Sequence, residues 1–327
     1  MRAMALEAVA GALFVTAALA PPSASAGDIG FVTNQSSDDL SVVDFSIMRE
    51  LERIPIGGRP AGVAVPPDGR RAYVTSPESG ELTVIDTGSH AVSGRIKLGG
   101  GPLGIAVHPS GTPVYVADWY AHTLSVVDPD AMAVTHRLKT GLSPSGVAVS
   151  PDGALVVTAD RDSDSVSLFD TASLERLGVI AVGQRPFGLS FSDDGSELYV
   201  ANVASNDVTV IRVADRTVRG RAAVGDRPYA VVAAGGRLFV SDQHGGTVSV
   251  LDAASLERLA EIGVGEYPEG LAVSADKGHV FVANWFDNSV MKIDVETLAV
   301  EADVTVGDGP RAFGAFVAHL PEDGRKP

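Results

Sequence analysis

The chain has 327 residues, with 41 Asp and Glu against 25 Lys and Arg, and it contains no cysteine. The lack of cysteine excludes disulfides, thiolate catalysis, iron–sulfur clusters and covalently attached c-type haem. A formal charge of -16 argues against nucleic-acid binding, because such binding depends on Lys and Arg contacts to phosphates.

The first 26 residues have the layout of a secretory signal peptide. Arg2 precedes a largely apolar run from Ala8 to Ala20, and the small residues Ala24, Ser25 and Ala26 follow. The run is too short to span a bilayer as a stable helix. We predict cleavage after Ala26, which leaves an exported chain without a transmembrane segment, located in the periplasm or secreted. An uncleaved N-terminal anchor is the alternative.

One sequence unit recurs seven times after Gly27, at a spacing of 42 residues with one interval of 40. The units open at Phe31, Tyr73, Tyr115, Val157, Tyr199, Phe239 and Phe281. A fixed period of this size indicates a repeat architecture. Each unit contains four short runs of strand character, separated by turn signals such as Pro67-Asp68-Gly69. The sequence therefore predicts an all-β fold, a seven-bladed β-propeller of four-stranded antiparallel blades.

The position of the first unit predicts how the ring closes. The first unit lacks the innermost strand, and the last unit ends with one, so we expect residues 314–318 to pair with the strand near Phe31. The N-terminal and C-terminal segments then share one blade, which leaves no open sheet edge in the ring. We assign residues 1–26 to the signal peptide, 27–320 to the propeller and 321–327 to a C-terminal tail.

Four repeated motifs carry a family resemblance. Phe31-Val32-Thr33-Asn34, Tyr73-Val74-Thr75-Ser76, Tyr199-Val200-Ala201-Asn202 and Phe281-Val282-Ala283-Asn284 resemble the YVTN family of β-propeller repeats. The closing segment Gly309-Pro310-Arg311-Ala312-Phe313-Gly314 is similar to the end of a YVTN subgroup associated with PQQ-dependent alcohol catabolism. The resemblance implies the propeller fold and an accessory role beside such an oxidation system, and it does not imply a catalytic residue.

The topology predicts that two classes of loop meet on one face of the ring. One loop leaves the aromatic-Val-Thr-Asn strand, and the other enters the inner strand at Gly-x-x-Pro. These loops differ between the repeats although the strands do not, which indicates that function resides in them. The candidate ligand-binding residues on this face are Arg59, Arg185, Arg227, Arg311, Tyr229, Tyr267, Trp119, His122, His244 and Trp285.

Four of these candidates are arginines, whose planar fork suits a carboxylate or phosphate ligand. The alternative is that each arginine pairs with a nearby carboxylate, for which Asp118, Asp160, Asp226 and Asp242 are available. The aromatic candidates could bind a ring-shaped ligand or a protein, or could pack between blades. The recurring Asn or Asp that ends the aromatic-Val-Thr-Asn strand is more simply explained as a turn cap.

The sequence predicts no catalytic residues, no transition-metal site and no cofactor, although carboxylates on the loop face could hold calcium. His122 and His244 fall three repeats apart on a seven-fold ring, which is too far for a shared zinc or copper ion.

Three function classes remain open. The leading hypothesis is a monomeric, exported, non-catalytic binding or scaffold protein whose partner is a periplasmic protein or a small anionic ligand. The second hypothesis is a propeller enzyme of lactonase or lyase type with a divalent cation, and the third is a cell-envelope adhesion module.

Overall fold

The computed structural model describes residues 27–320, with side chains up to residue 318. The predicted signal peptide and C-terminal tail lie outside the described residues. Seven four-stranded antiparallel sheets are present, as the repeat spacing predicts. A single 3-10 turn, at Arg161–Ser163, is the only helical element within the described chain. No helix in this part of the chain is long and apolar enough to cross a membrane.

The 28 strands follow one another in chain order with short connections. They are β1 Gly27–Asn34, β2 Asp39–Asp44, β3 Arg49–Pro55, β4 Val63–Ala64, β5 Arg71–Ser76, β6 Glu81–Asp86, β7 Ala91–Lys97, β8 Pro102–Val107, β9 Val114–Asp118, β10 Thr123–Asp128, β11 Ala133–Lys139, β12 Pro144–Val149, β13 Leu155–Asp160, β14 Ser165–Asp170, β15 Arg176–Ala181, β16 Pro186–Phe191, β17 Glu197–Asn202, β18 Asp207–Arg212, β19 Thr217–Ala223, β20 Pro228–Ala234, β21 Arg237–Asp242, β22 Thr247–Asp252, β23 Arg258–Gly263, β24 Pro268–Val273, β25 His279–Asn284, β26 Ser289–Asp294, β27 Val300–Thr305 and β28 Val317–Leu320.

Blade 1 closes the ring by combining both ends of the described chain, in the order β28, β1, β2, β3. Gly27 pairs with Leu320 and Gly30 with Val317, and the backbone N–H of Phe31 donates to the carbonyl of Phe316 at 2.8 Å. The predicted closure is confirmed, with the closing strand starting three residues later than expected. Blades 2 to 7 then take four consecutive strands each, from β4 to β27.

Buried hydroxyls on the second strand of a blade hold neighbouring blades together near the axis. The Thr33 hydroxyl donates to the Ala61 carbonyl at 2.8 Å, and the Thr75 hydroxyl donates to the Leu103 carbonyl at 2.7 Å. Ser241 donates in the same way to the carbonyl of Glu269. Each bond satisfies a buried carbonyl at the start of the next inner strand. The Thr of the aromatic-Val-Thr-Asn motif therefore has a structural role between blades.

The recurring Asn or Asp that follows this hydroxyl is also structural. Asn34 donates to Asp39 at 2.7 Å and to Ser41 at 2.8 Å, which ties the second strand to the third. Asp118 accepts from the backbone N–H groups of Tyr120 and Ala121 in the following turn. These side chains are buried, and the prediction that they hold turns is confirmed.

Glycines let the inner strands approach one another around the axis. A Cβ at Gly104 would lie 1.9 Å from the Ser145 carbonyl oxygen, and one at Gly62 would lie 2.1 Å from that of Leu103. Both neighbours are backbone atoms, so relief would need a shift of a whole strand. The Pro-x-Gly recurrence thus follows from the narrow centre of the ring.

We expect Gly104→Ala to lower the free energy of unfolding by about 1–3 kcal/mol, because the added methyl overpacks two backbones. Gly178→Ala is the matched control, since nothing lies within 4 Å of a Cβ at that strand position. The control should be neutral or stabilising by up to about 1 kcal/mol. Urea denaturation measures both changes, and equal midpoints for the two variants would contradict this account of the ring centre.

Candidate functional site

Two faces of the ring can be distinguished by their loops. The loop face carries the connections that follow the second strands, such as residues 35–38, and those that lead into the inner strands, such as residues 56–62. These loops touch: the N–H of Gln35 donates to the Gly309 carbonyl at 2.9 Å, and that of Trp119 donates to Gly101 at 3.0 Å. The turn face carries the Pro-Asp-Gly turns. The two predicted loop classes do share one face.

Seven residues that directly follow the shared Pro form a layer around the axis at the loop face. They are Ala61, Leu103, Ser145, Phe187, Tyr229, Glu269 and Arg311. Within this layer Phe187 lies 4.4 Å from Tyr229, and it lies 5.0 Å from Phe313, both measured between ring centroids. This aromatic cluster lies between a cavity on the loop face and another on the turn face, because Phe187 lines the first and Phe313 lines the second.

Arg311 is the centre of a buried polar network. Its Nε donates to the Tyr229 hydroxyl at 2.8 Å and lies 3.0 Å from Glu269 Oε2. Its Nη1 donates to Gln35 Oε1 at 3.2 Å. Gln243 Nε2 donates to the other oxygen of Glu269 at 2.7 Å. The network joins the closing segment of the chain to blades 1, 6 and 7.

Burial and charge act against each other on these groups. Burial raises the pKa of Glu269 above its usual value, although the nearby Arg311 and Gln243 lower it. Burial also raises the pKa of the Tyr229 hydroxyl, so this group stays protonated. Burial lowers the pKa of Arg311, but the charge of Glu269 and the contacts with Tyr229 outweigh it, so the guanidinium stays charged.

Two aromatic rings fix the orientation of the guanidinium. Arg311 Cζ lies 5.7 Å from the ring centroids of both Tyr229 and Trp285. Both distances fall within the range of cation–π attraction. The Arg311 side chain keeps 20% of its surface exposed, whereas Glu269 beneath it keeps 3%. The network therefore presents an oriented cation at the loop face and keeps the carboxylate out of solvent.

A pocket of about 280 Å³ opens at this point, and we call it the loop-face pocket. Its lining residues are Gln35, Arg59, Pro77, Glu78, Gly101, Leu103, Trp119, Tyr120, Phe187 and Arg311. Arg59 pairs loosely with Glu78 at 3.5 Å, and both side chains are exposed. The pocket therefore brings together three predicted ligand-binding residues, Arg59, Trp119 and Arg311, with Tyr229 and Trp285 directly behind Arg311.

The other two arginines lie on the loop face but outside this pocket. Arg185 and Arg227 are exposed, and neither forms an ion pair with another residue between 27 and 320. They occupy the position before the shared Pro, as Arg59 does, and all three have φ near +55°. Arg311 follows the Pro instead, and this offset of two residues moves it from the rim to the axis.

The carboxylates proposed as alternative partners of the arginines are engaged elsewhere. Asp160 accepts from Ser167 at 2.6 Å, and Asp242 accepts from Ser249 at 2.7 Å. Asp118 accepts from the N–H of Gly101, and Asp226 lies 3.8 Å from His244. In the described range, the carboxylates that do pair with two of the arginines are Glu78 and Glu269.

The remaining candidate residues lie around the rim. His122 Nδ1 accepts from the backbone N–H of Ser143 at 2.9 Å. The equivalent acceptor in blade 1 is the Asp38 carboxylate, which accepts from the backbone N–H of Arg59. His122 thus replaces a recurring loop acceptor. The rings of His244 and Tyr267 lie 5.3 Å apart, and Tyr267 packs edge-on against exposed Phe286. The two histidines do not meet.

A group that could ligate a metal lies elsewhere. Among residues 27–318, His279, Asp294 and Glu301 place ligand atoms within 4.8 Å of one another, on β25, β26 and β27 of blade 7. Lys292 Nζ is 3.5 Å from Glu301 and competes for that carboxylate. The group is separate from the loop-face pocket.

A second cavity, of about 570 Å³, opens on the turn face, and we call it the turn-face cavity. Inner-strand residues from all seven blades line it, including Ala64, Val107, Val149 and Val273, with Phe313 between it and the loop-face pocket. Its lining is mainly aliphatic and carries no arginine. Of the two cavities, only the loop-face pocket therefore offers arginines to an anionic ligand.

Sequence reasoning missed Glu269, Gln35 and Gln243 as members of the site. A signal for Glu269 was available, because it and Arg311 occupy the same repeat position in consecutive units and carry opposite charges. Equivalent positions in consecutive repeats are neighbours around a ring. Gln35 and Gln243 share the repeat position after the recurring Asn or Asp, but an uncharged amide there gives no sign of its partner.

The chain is thus a seven-bladed β-propeller repeat protein. The family described as "Lactonase, 7-bladed beta-propeller" matches residues 93–221. No curated protein matches the chain.

Three solved structures are similar to it. Hydrazine synthase from Kuenenia stuttgartiensis has 20% identity and a TM-score of 0.71, covering 77% of this chain and 88% of that one. A functionally unknown protein from Desulfotomaculum acetoxidans DSM 771 has 16% identity and a TM-score of 0.78, covering 91% and 100%. Dihydro-heme d1 dehydrogenase NirN in complex with DHE has 18% identity and a TM-score of 0.66, covering 87% and 65%. At these identities the likeness concerns the fold.

Proposed function

We propose that the protein is a non-catalytic binding protein that takes a small anionic ligand in the loop-face pocket. The observation that carries the proposal is Arg311, whose guanidinium is held by Tyr229, Glu269 and Gln35 and also lines the pocket. A cation oriented in advance loses little freedom on binding, so more of its attraction becomes affinity. Arg59 supplies a second donor at the rim.

Tryptophan fluorescence can report binding at this site. The chain contains two tryptophans, Trp119 and Trp285, of which one lines the pocket and the other packs on Arg311. A ligand that enters the pocket should change their fluorescence. Binding can therefore be followed without labelling.

The test is a fluorescence titration of the protein with benzoate and with inorganic phosphate. Arg59→Ala should weaken binding about tenfold, because one charge-assisted hydrogen bond contributes roughly 1.5 kcal/mol. Arg185→Ala is the matched control, since it has the same repeat position and the same positive φ but does not line the pocket. If neither anion binds, or if both substitutions weaken binding equally, the pocket is not the binding site.

We also propose that the protein is exported and serves a PQQ-dependent alcohol oxidation system as an accessory binding protein. The signal-peptide layout of residues 1–26 and the YVTN-like closing segment support this proposal. The mass of the mature chain tests export, because cleavage after Ala26 leaves Gly27 as the first residue. A full-length mature chain would contradict it.

The match to a lactonase family favours one alternative, a lactone-hydrolysing enzyme. In that case Glu78, the carboxylate that lines the pocket, is the candidate general base. Hydrolysis of simple lactones in the presence of calcium, abolished by Glu78→Gln, would replace the binding proposal with this one.

A further inference from the structure

The loop-face pocket has an apolar side and a charged side. The apolar side consists of Leu103, Trp119, Tyr120 and Phe187. Leu103 and Phe187 are nearly buried, and Trp119 packs on Phe187 with 6.2 Å between centroids. The charged side consists of Gln35, Arg59, Glu78 and Arg311. A ligand that fills the pocket must therefore combine an apolar part with a polar end.

The charges of the pocket nearly balance before any ligand binds. Arg59 is 3.5 Å from Glu78, and Arg311 is 3.0 Å from Glu269. Two cations thus face two carboxylates. A singly charged anion adds one uncompensated charge, whereas a phosphate ester near neutral pH adds up to two. The chain as a whole carries -16, so the second charge opposes binding further.

Arg311 determines where the charged end of the ligand lies. Its Nε and Nη1 already donate to Tyr229 and Gln35, and among residues 27–320 no acceptor is bonded to Nη2. The Nε bond to the Tyr229 hydroxyl and the cation–π contacts with Tyr229 and Trp285 restrain the guanidinium plane. A carboxylate oxygen matches a guanidinium N–H in this plane. The ligand carboxylate therefore meets Nη2, with exposed Arg59 reaching it from the rim.

The size and the walls of the pocket describe the rest of the ligand. A volume of about 280 Å³ is just below the usual lower bound of roughly 300 Å³ for ligand sites. Trp119 and Phe187 line the pocket with aromatic carbon, on which a flat ring packs better than a flexible chain. Arg161 lies 5.1 Å from the centroid of the Trp119 ring, so the ligand ring must use the part of Trp119 that faces the pocket. Tyr120 is 73% exposed at the rim, where it can cover a ring from the solvent side. One ring fits, whereas a long chain would extend into solvent.

The geometry points to a single-ring monocarboxylate as the ligand class of the loop-face pocket. The carboxylate lies on Arg311 and Arg59, and the ring packs on Trp119 and Phe187. This inference rests on the proposed function, because it specifies the ligand of the same site. Neither the repeat motifs nor the family match specifies this class.

The experiment is an NMR titration of the full chain with four probes, which detects dissociation constants up to the millimolar range. The probes are benzoate, hexanoate, phenyl phosphate and inorganic phosphate. Benzoate should bind at least about tenfold more tightly than each of the other three. Trp119→Leu should weaken benzoate at least about tenfold but change hexanoate by less than about twofold, because only the ring stacks on the indole.

The variants separate failure of this inference from failure of the proposed function. Gln35→Ala and Arg59→Ala change the pocket without removing the buried charge of Arg311, so folding is retained; both should weaken benzoate, and Arg185→Ala should not. Equal affinity for hexanoate and benzoate, or tighter binding of phenyl phosphate, overturns the ligand class but keeps the pocket. If no probe binds, or if binding is unchanged in Arg59→Ala and Gln35→Ala, both the ligand class and the proposed function are overturned.

Discussion

Ending the chain at Gly309 is expected to abolish cooperative unfolding. The truncation removes β28, which pairs with β1, and the buried side chains of Phe313, Phe316 and Val317. Burial of each of these side chains contributes about 1.5–3 kcal/mol. A typical domain is stable by only about 5–15 kcal/mol in total, so little or nothing would remain.

Circular dichroism during thermal and urea unfolding measures this effect. A chain ending at Leu320 is the matched control, because it keeps every contact of the described residues and should melt like the full chain. Phe316→Ala gives an intermediate case: its ring is fully buried and lies 6.3 Å from that of Phe45, so its loss should cost about 3–5 kcal/mol. A soluble truncation at Gly309 with an unchanged midpoint would show that the ring does not depend on this closure.

Arg311→Ala is expected to destabilise the protein by about 3 kcal/mol at neutral pH. Removal of one partner from a buried ion pair leaves the other charge uncompensated, which costs about 3–5 kcal/mol. The lower value applies here because the Arg311 side chain is 20% exposed. Glu269→Gln should cost less, because the partly exposed guanidinium can be hydrated, whereas a carboxylate that is 3% exposed cannot.

The pH dependence of the Arg311→Ala effect has a definite sign. Burial already raises the pKa of Glu269 in the folded protein, and Arg311 opposes that rise. Without Arg311 the folded-state pKa rises further, so the folded variant binds a proton at pH values where the unfolded chain has released it. Stability is then lost as pH rises through the folded-state pKa. The difference in unfolding free energy between wild type and variant should therefore be larger at pH 8 than at pH 5.

Urea denaturation of both proteins at the two pH values checks this expectation. Subtracting the two unfolding free energies cancels the contribution of carboxylates that are the same in both proteins. Asp194 is one example: hydrogen bonds from Ser192 and from the side chain and backbone of Ser196 lower its pKa to about 2. A double-mutant cycle with Glu269→Gln isolates the pair. A pH-independent difference would mean that Glu269 is not the group that responds to the loss of Arg311.

Most of the fold could be predicted from the repeat period, because particular residues meet the same structural requirement in every blade. The buried aromatic at Phe31, Tyr73 and Phe281 recurs because each blade packs the same face against its neighbour, and the glycines recur because the axis is crowded. These requirements are identical in every blade and so leave a periodic trace. The closing strand was placed three residues early, because blade 1 alone receives its inner strand from the end of the chain.

The site could be predicted only in part, because it consists of the positions where the repeats differ. The sequence placed all four arginines on the loop face, with Arg311 after the shared Pro and the other three before it, but it did not show that this difference separates the axis from the rim. The separation depends on the left-handed backbone before the Pro, with φ of +55° at Arg59. The partner Glu269 is on a neighbouring blade, 42 residues from Arg311, so the only sequence signal of their contact is the repeat position that they share.

A crystal structure of the protein with benzoate tests the central claim most directly. We expect the carboxylate to contact Arg311 Nη2 in the loop-face pocket, with the ring against Trp119 and Phe187 and with Glu269 still paired to Arg311. Benzoate bound in the turn-face cavity instead, or a loop-face pocket without ligand at concentrations that saturate the fluorescence change, would contradict the claim.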